Sequence, residues 1–171
     1  MCIYERKIVN PPPHPIFHSS LLILNFFVLS RPKKEADMAI EDLMTKVRVR
    51  RYVVDESKLN INKTLFGGEV MAWMDKVGHE LSVELTHHTM CTAAADKIRF
   101  HKPAYLGETI EVVAKPLDLG PVKIVLELTA TADPDGAERR TILTGLYTFV
   151  QLDEKGRPHR ISYHDPYGCL A

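Results

Sequence analysis

The sequence predicts an α+β fold in which one antiparallel sheet wraps around one long central helix. Apolar side chains recur at helical spacing from the pair Gly67-Gly68 to about Thr86, a length of roughly five to six turns. The flanking segments alternate apolar and polar residues at the period of a strand, and short turns join those that follow the helix. Strands and helices do not alternate along the chain, which argues against a parallel, Rossmann-type sheet.

The predicted helix has three faces when its residues are placed at 100° intervals. An apolar stripe, which must be buried against a sheet, consists of Phe66, Val70, Trp73, Met74, Val77, Leu81 and Leu85. A flank that we expect to be solvated consists of Glu69, Lys76 and Glu80. The third face is small or weakly polar and consists of Gly68, Ala72, Asp75, His79, Ser82 and Thr86. Small residues allow another backbone or a ligand to come close.

Asp75 and the two glycines are candidate functional residues. Aspartate is a poor residue inside a helix, and the ordinary explanation for one is a solvated surface position. No basic side chain except His79 lies one turn away, so helix stability does not explain Asp75. Gly67 and Gly68 begin the helix, where the first N–H groups lack intrahelical acceptors and the macrodipole is positive. The pair indicates either an ordinary glycine turn or an N–H that binds an oxyanion, with a carboxylate two turns along.

Five segments have the alternation of strands. They are residues 45–54, 91–100, 109–117, 122–132 and 140–152. In the second segment we expect Asp96, Ile98 and Phe100 on one face, and Lys97 and Arg99 on the other. Long strands curled around a single hydrophobic helix describe the hotdog arrangement.

The composition argues against several functional classes. The chain has 171 residues, 45% hydrophobic and 26% charged, as expected for one soluble globular domain. Its 22 basic residues balance 22 acidic ones, so there is no basic excess for nucleic acid. Cys2, Cys91 and Cys169 are widely separated and have no metal-ligand spacing, which predicts reduced thiols in a cytoplasmic protein. No metal site is predicted.

Residues 1–37 differ from the rest of the chain. A positive start and a mostly apolar stretch at 16–29 resemble a signal peptide, but polar residues interrupt the stretch and no small-x-small cleavage site follows. The stretch is also shorter than the roughly 20 residues of a membrane-spanning helix. A complete domain pattern begins directly after Met38. We therefore expect residues 1–37 to be an unstructured or mis-called extension and residues 38–171 to form a single hotdog domain.

Several short motifs occur in order between about Thr45 and Arg157. They are Asn60 in a loop, Phe66-Gly67-Gly68, Met74-Asp75, Phe100-x-x-Pro103-x-x-x-Gly107 and Phe149-Val150-Gln151-Leu152-Asp153. Each is weak alone. Together they resemble the hotdog-fold acyl-CoA thioesterases, in the branch of the bacterial short- and medium-chain acyl-CoA hydrolases and the cytosolic brain-type acyl-CoA hydrolase. The chain departs from that branch after Gly120, where relatives often have Arg-Ser-Ser and this sequence has Pro121-Val122-Lys123.

The resemblance implies hydrolysis of fatty acyl-CoA to the free acid and coenzyme A, with no separate cofactor. It implies that Asp75 is the general base or nucleophile, that Asn60 orients the water or the thioester, and that the Gly68 N–H, with Gly67, binds the oxyanion. It also implies a site shared across the interface of a homodimer, alone or within a trimer of dimers. If the Arg-Ser-Ser residues of relatives bind the phosphates of coenzyme A, only Lys123 could do so in this chain.

Three aromatic residues are further candidates for substrate contact. They are Phe66, Trp73 and Phe100. Apolar residues at helical or strand spacing are more often part of a core, so this reading competes with simple packing.

Two other functions share the predicted fold. A hotdog domain can bind acyl-CoA without hydrolysing it, as a regulatory module, but no helix-turn-helix is present through which it could act on DNA. Another hotdog class hydrates enoyl-CoA with an aspartate and a histidine, and the loop at residues 55–68 contains no histidine. Fold alone does not decide among these functions.

Overall fold

The computed structural model describes residues 40–163, which all belong to one compact unit. The prediction about residues 1–37, including the proposed boundary at Met38, lies outside the described residues, as do Cys2 and Cys169. The long helix, α1, spans Gly67–Thr86. The strands are β1 (Arg48–Val53), β2 (Cys91–Phe100), β3 (Thr109–Leu119), β4 (Lys123–Ala132), β5 (Arg140–Leu152) and β6 (Pro158–His159).

The strands form one antiparallel sheet in the order β1-β3-β4-β5-β2, with β6 paired to the end of β5. Helix α1 packs on one face of this sheet, against β3, β4 and β1. The predicted α+β architecture is confirmed. Strands β1 and β2 are the edges of the five-strand order, and β2 pairs only with β5 among the described strands. The strand β6 was not predicted, because a two-residue pairing leaves no periodicity in the sequence.

The core lies between the apolar stripe of α1 and alternate residues of the sheet. Met74, Val77 and Leu81 are fully buried on the helix side. The residues fully buried on the sheet side include Ile110, Val112, Ala114, Ile124, Leu126, Leu128, Ala130 and Ala132. Phe66, which was predicted in the apolar stripe, is instead exposed, because it is the N-cap just before the helix. Val122, the first residue of the predicted strand 122–132, is also exposed and lies just before β4.

The alternation predicted for β2 is wrong at Asp96. Asp96 lies opposite Leu146 and Phe100 lies opposite Leu143, and these partners are three residues apart on β5. Directly opposed residues point to the same side of a sheet, so Asp96 and Phe100 are on opposite faces. The cause is a bulge between Asp96 and Arg99, where Lys97 has a positive φ of 51°.

Candidate active site

Asp75 lies half-buried on the third face of α1, next to the start of β2. The hydroxyl of Thr92 donates a hydrogen bond to Asp75 Oδ1 at 2.6 Å. Thr92 is opposite the fully buried Phe149, so its side chain points toward the helix. Within residues 40–163, Thr92 is the only hydrogen-bond partner of this carboxylate. One carboxylate oxygen is therefore fixed, and the other can accept a hydrogen bond from water.

Tyr147 on β5 anchors the helical turn that carries Asp75. Its side chain is 2% exposed, and its hydroxyl donates to the backbone carbonyl of Met71 at 3.3 Å. In an α-helix the same carbonyl accepts the N–H of Asp75, four residues later. Burial, with a contribution from the charge of Asp75, raises the pKa of Tyr147 to about 12. Tyr147 therefore remains a protonated donor at neutral pH.

The two glycines leave backbone donors available at the start of α1. Phe66 is the N-cap and offers no side-chain acceptor, while its carbonyl accepts the N–H of Glu69 at 3.0 Å. By helix geometry, the N–H groups of Gly67 and Gly68 have no acceptor within the helix. A Cβ on Gly67 would lie 2.7 Å from the ring of Phe100, so glycine lets the backbone approach this ring closely.

Asn60 organises the loop that leads into the helix. Its Oδ1 accepts the backbone N–H of Asn62 at 2.8 Å and that of Thr64 at 3.2 Å, and its Nδ2 donates to Thr64 Oγ1 at 2.8 Å. This is an Asx-type turn, in which a side chain replaces a backbone acceptor. The loop is tied to the segment after β2, because the N–H of Leu65 donates to the carbonyl of Ala104 at 2.8 Å.

A cavity of about 340 Å³ lies between this loop, the helix start and the segment after β2. Its apolar lining includes Leu65, Val70, Ala104, Ile142 and Leu143. The remaining lining residues are Asn60, Thr64, Gly67, Phe100, His101, Lys102 and Pro103. The cavity therefore combines an apolar base with helix N–H groups and polar side chains, which is the usual composition of a small-molecule site.

Comparison with known proteins identifies the family. The model of the thioesterase superfamily matches residues 62–138. An uncharacterized acyl-CoA thioester hydrolase of Haemophilus influenzae is 31% identical over 120 residues, which cover 67% of this chain and 77% of that protein. The chain belongs to the acyl-CoA thioester hydrolases.

Solved structures confirm the fold of this thioesterase. A hexameric hotdog fold thioesterase of Campylobacter jejuni matches with a TM-score of 0.60 and 26% identity, covering 66% of this chain and 88% of that one. A hexameric broad-specificity acyl-coenzyme A thioesterase, solved as an aspartate-to-alanine variant, matches with a TM-score of 0.60 and 27% identity, covering 66% of this chain and 84% of that one. The predicted hotdog fold is confirmed.

The predicted site residues of the thioesterase fall into three groups. Asn60, Gly67 and Phe100 line the cavity together, and Gly68 follows Gly67 at the same helix start. Asp75 lies two turns along α1 and does not line that cavity. Their predicted roles in catalysis and substrate binding stay predictions.

The other predicted substrate contacts lie outside this cavity. Trp73 is 7% exposed and stacks on Tyr52, with ring centroids 4.7 Å apart, as a core residue does. Phe66 is exposed beside Gly68. Lys123 is exposed at the start of β4, opposite Val150, at the far end of the sheet from Leu143 and the cavity.

Sequence reasoning missed two residues beside Asp75. Thr92 was treated only as part of a strand, and Tyr147 only as part of the last long strand. Thr92 is the second residue of β2, and threonine is so common in strands that this position gives little indication of a function. The buried position of Tyr147 was visible in the alternation of β5, and a buried tyrosine hydroxyl needs a hydrogen-bond partner.

Residues 40–163 of the thioesterase include neither a helix that could span a membrane nor a cluster of metal-binding side chains. None of the helices in this range has the length and apolar character that a membrane span requires. Between residues 40 and 163, no three histidine, cysteine, aspartate or glutamate side chains are grouped in a way that could hold a metal ion.

Proposed function

We propose that this thioesterase hydrolyses acyl-CoA thioesters to the free acid and coenzyme A by means of a water molecule activated by Asp75. The observation that carries the proposal is the 2.6 Å hydrogen bond from Thr92 to Asp75, which orients the carboxylate and leaves one oxygen for water. The names of the similar proteins, which are acyl-CoA thioester hydrolases and thioesterases, support the substrate class.

The proposed reaction needs a base and an oxyanion donor. Asp75 removes a proton from water, whose oxygen attacks the thioester carbon, and the carbonyl electrons move to its oxygen. The N–H of Gly68, with that of Gly67, stabilises this oxyanion, a contribution of roughly 3–4 kcal/mol for one such donor. When the carbonyl re-forms, the C–S bond breaks and the thiolate takes the proton from Asp75. Asn60 orients the water or the thioester.

The helix geometry favours two protomers as the source of these groups. Gly68 and Asp75 are seven residues apart on α1, so they are separated by about 10 Å along the helix axis. The N–H groups at the helix start also point away from Asp75, toward the N-terminal side. A single thioester and one water do not span this distance in a productive geometry. The base and the oxyanion donor for one substrate therefore come from different copies of the chain.

The edge strand β2 supplies a way to bring two copies together. Its side chains at Thr92, Ala93 and Ala95 are exposed, and an unpaired edge can extend the sheet by pairing with the same strand of another protomer. Antiparallel pairing about a two-fold axis places the Thr92 end of one β2 beside the Phe100 end of the other. Each cavity then lies close to the partner's Asp75. We propose that this homodimer is the functional unit and that three such dimers assemble into a hexamer. Two similar thioesterases are hexameric, which supports this assembly.

The test is release of free thiol from acyl-CoA substrates between acetyl-CoA and palmitoyl-CoA by the full chain. We expect turnover, and we expect Asp75→Asn to lower kcat at least about a hundredfold, because a positioned base contributes 10²–10⁴-fold. Light scattering after size-exclusion chromatography should give a multiple of the protomer mass for both proteins.

Two results would contradict the proposal. Binding of coenzyme A without turnover of any thioester would identify a binding module. Turnover by a protein that is monomeric at micromolar concentration would exclude the shared site. We further propose a cytoplasmic location, which agrees with the free thiol of Cys91.

A further inference from the structure

A second concave site lies on the outer face of the sheet, close to the cavity at the helix start. It has a volume of about 310 Å³ and is lined by Lys97, Arg99, Leu117, Glu127, Thr144, Gly145 and Leu146. Arg99 lies opposite Thr144, so both side chains are on the face turned away from α1. Lys97, whose φ of 51° marks the bulge, also lines the site, which therefore holds two cations.

Among residues 40–163, the cations around the end of β2 form no ion pairs. Four of the six residues from Lys97 to Lys102 are lysine, arginine or histidine, although the whole chain carries 22 basic and 22 acidic residues. Within residues 40–163, none of the ion pairs involves Lys97, Arg99 or Lys102. Two acidic residues lie close to these three cations, Glu127 in the lining of the outer site and Asp96 on the same face, so the cations exceed the acids by one.

A hydrogen bond joins residues that line the two concave sites. His101 and Lys102 line the cavity at the helix start, and His101 Nε2 lies 2.9 Å from Oγ1 of Thr144, which lines the outer site. The cations therefore run around the end of β2, from the outer face to the mouth of the cavity. Pairing of β2 with a partner would use its backbone edge and leave these outward side chains accessible.

We propose that Lys97, Arg99 and Lys102 bind the phosphate groups of the coenzyme A portion of the substrate. This inference rests on the proposed hydrolysis of acyl-CoA. Coenzyme A carries its phosphates at the end remote from the thioester, which matches cations on the outer face and at the mouth of the cavity that holds the reacting group. The site supplies cations on the protomer that carries the cavity, in a chain that lacks the Arg-Ser-Ser of relatives after Gly120.

The test compares one acyl group on two thiols. The substrates are the acyl-CoA that the full chain hydrolyses fastest and the same acyl thioester of N-acetylcysteamine, which has no phosphate. For the double variant Lys97→Ala/Arg99→Ala, we expect KM for the acyl-CoA to rise about tenfold with kcat nearly unchanged, since each exposed charge contact contributes modestly. The kinetics with the phosphate-free thioester should not change. At high salt the difference in KM should shrink, because screening weakens exposed charge interactions.

A matched control removes the same amount of charge elsewhere. Lys46 and Lys115 are exposed on the β1–β3 side of the sheet, and the variant Lys46→Ala/Lys115→Ala should leave KM for acyl-CoA unchanged. The inference is overturned if both double variants raise KM equally, if Lys97→Ala/Arg99→Ala has no effect on KM, or if it impairs both substrates alike.

Failure of the proposed function is a separate outcome. If the wild-type protein hydrolyses neither thioester, calorimetric titration with coenzyme A decides this inference by itself. About tenfold weaker binding to Lys97→Ala/Arg99→Ala than to the control variant supports the phosphate site. Equal binding by the two variants overturns it.

Discussion

The two ends of β2 lie beside the same helix but hold their candidate functional groups in different ways. At the Thr92 end, one side-chain hydroxyl orients the carboxylate of Asp75, and one more hydroxyl, that of Tyr147, anchors the turn beneath it. At the Phe100 end, a folded loop places the groups: the side chain of Asn60 accepts the backbone N–H of Thr64, and the N–H of Leu65 donates to the carbonyl of Ala104.

Because of this difference, we expect mutations at the two ends to affect activity and stability to different extents. A carboxylate that depends on one hydroxyl can lose its orientation while the fold is unaffected. A helix start that depends on a folded loop loses both its geometry and its local stability when the loop is disturbed. Variants at the two ends should therefore give different ratios of lost activity to lost stability.

Among variants of the residues that support the site, the largest effect is expected at the Phe100 end, from Asn60→Ala. This change removes one donor and two backbone-binding acceptor contacts of the loop, so we expect a loss of about 2 kcal/mol in the free energy of unfolding. We also expect kcat/KM to fall about a hundredfold, because the loop lines the cavity and leads into the helix start. Urea unfolding and thiol-release kinetics measure the two quantities.

Asn60→Asp distinguishes a structural role of this residue from a catalytic one. Aspartate keeps the oxygen that accepts the N–H groups of Asn62 and Thr64 but lacks the amide donor. Recovery of stability without recovery of activity supports the proposed role in orienting water or thioester. Recovery of both would show that Asn60 only shapes the loop.

At the other end, Thr92→Val should lower kcat about tenfold or somewhat more. The change removes the hydrogen bond that orients the carboxylate of Asp75 toward the water while keeping the shape of the side chain. Because Thr92 is exposed in the protomer, the free energy of unfolding should change little. Thr92→Ser retains the hydroxyl and should keep most of the activity. A Val variant as active as the wild type would show that Asp75 does not need this bond.

Sequence reasoning predicted the helix and most strand positions well, because burial on one side of each element leaves a period in the sequence. The range Cys91–Phe100 was predicted with both ends correct, yet the face of Asp96 was wrong. A bulge changes which residues are opposed without changing which residue types occur, so no periodicity reveals it.

The candidate site was only partly predictable for a related reason. The glycine pair and Asp75 stand out within one helix, where spacing alone places them on a face. The contact between Asp75 and Thr92 depends on how β2 lies against α1, and the anchoring of Met71 by Tyr147 depends on the order of strands in the sheet. Neither contact can be predicted from the spacing of residues along the chain.

The smallest effect on activity is expected from Tyr147→Phe, which probes how firmly the turn carrying Asp75 must be held. The Met71 carbonyl still accepts the N–H of Asp75 after this change, so we expect a loss of about 1 kcal/mol in stability and only about a threefold loss in kcat. Tyr147→Leu, which also leaves a cavity, is the contrasting variant and should be far less stable. A hundredfold loss of kcat in the Phe variant would instead make this hydroxyl part of the chemistry.

The same variant has a signature at alkaline pH. The pKa of Tyr147 is raised from 10.0 to about 12 in the folded protein, so between these values the unfolded chain loses the proton and the folded protein keeps it. Stability is therefore fully present below pH 10 and falls as the pH rises toward 12, by up to about 1.4 kcal/mol per pH unit for this group. Tyr163, whose pKa is also raised to about 12, adds a similar slope, and Tyr163→Phe is the matched control. Urea unfolding at pH 9 and pH 11 should show a smaller loss of stability in either Phe variant than in the wild type. An unchanged loss in Tyr147→Phe would mean that the hydroxyl ionises in the folded protein as it does in water, and that the turn carrying Asp75 is open to solvent.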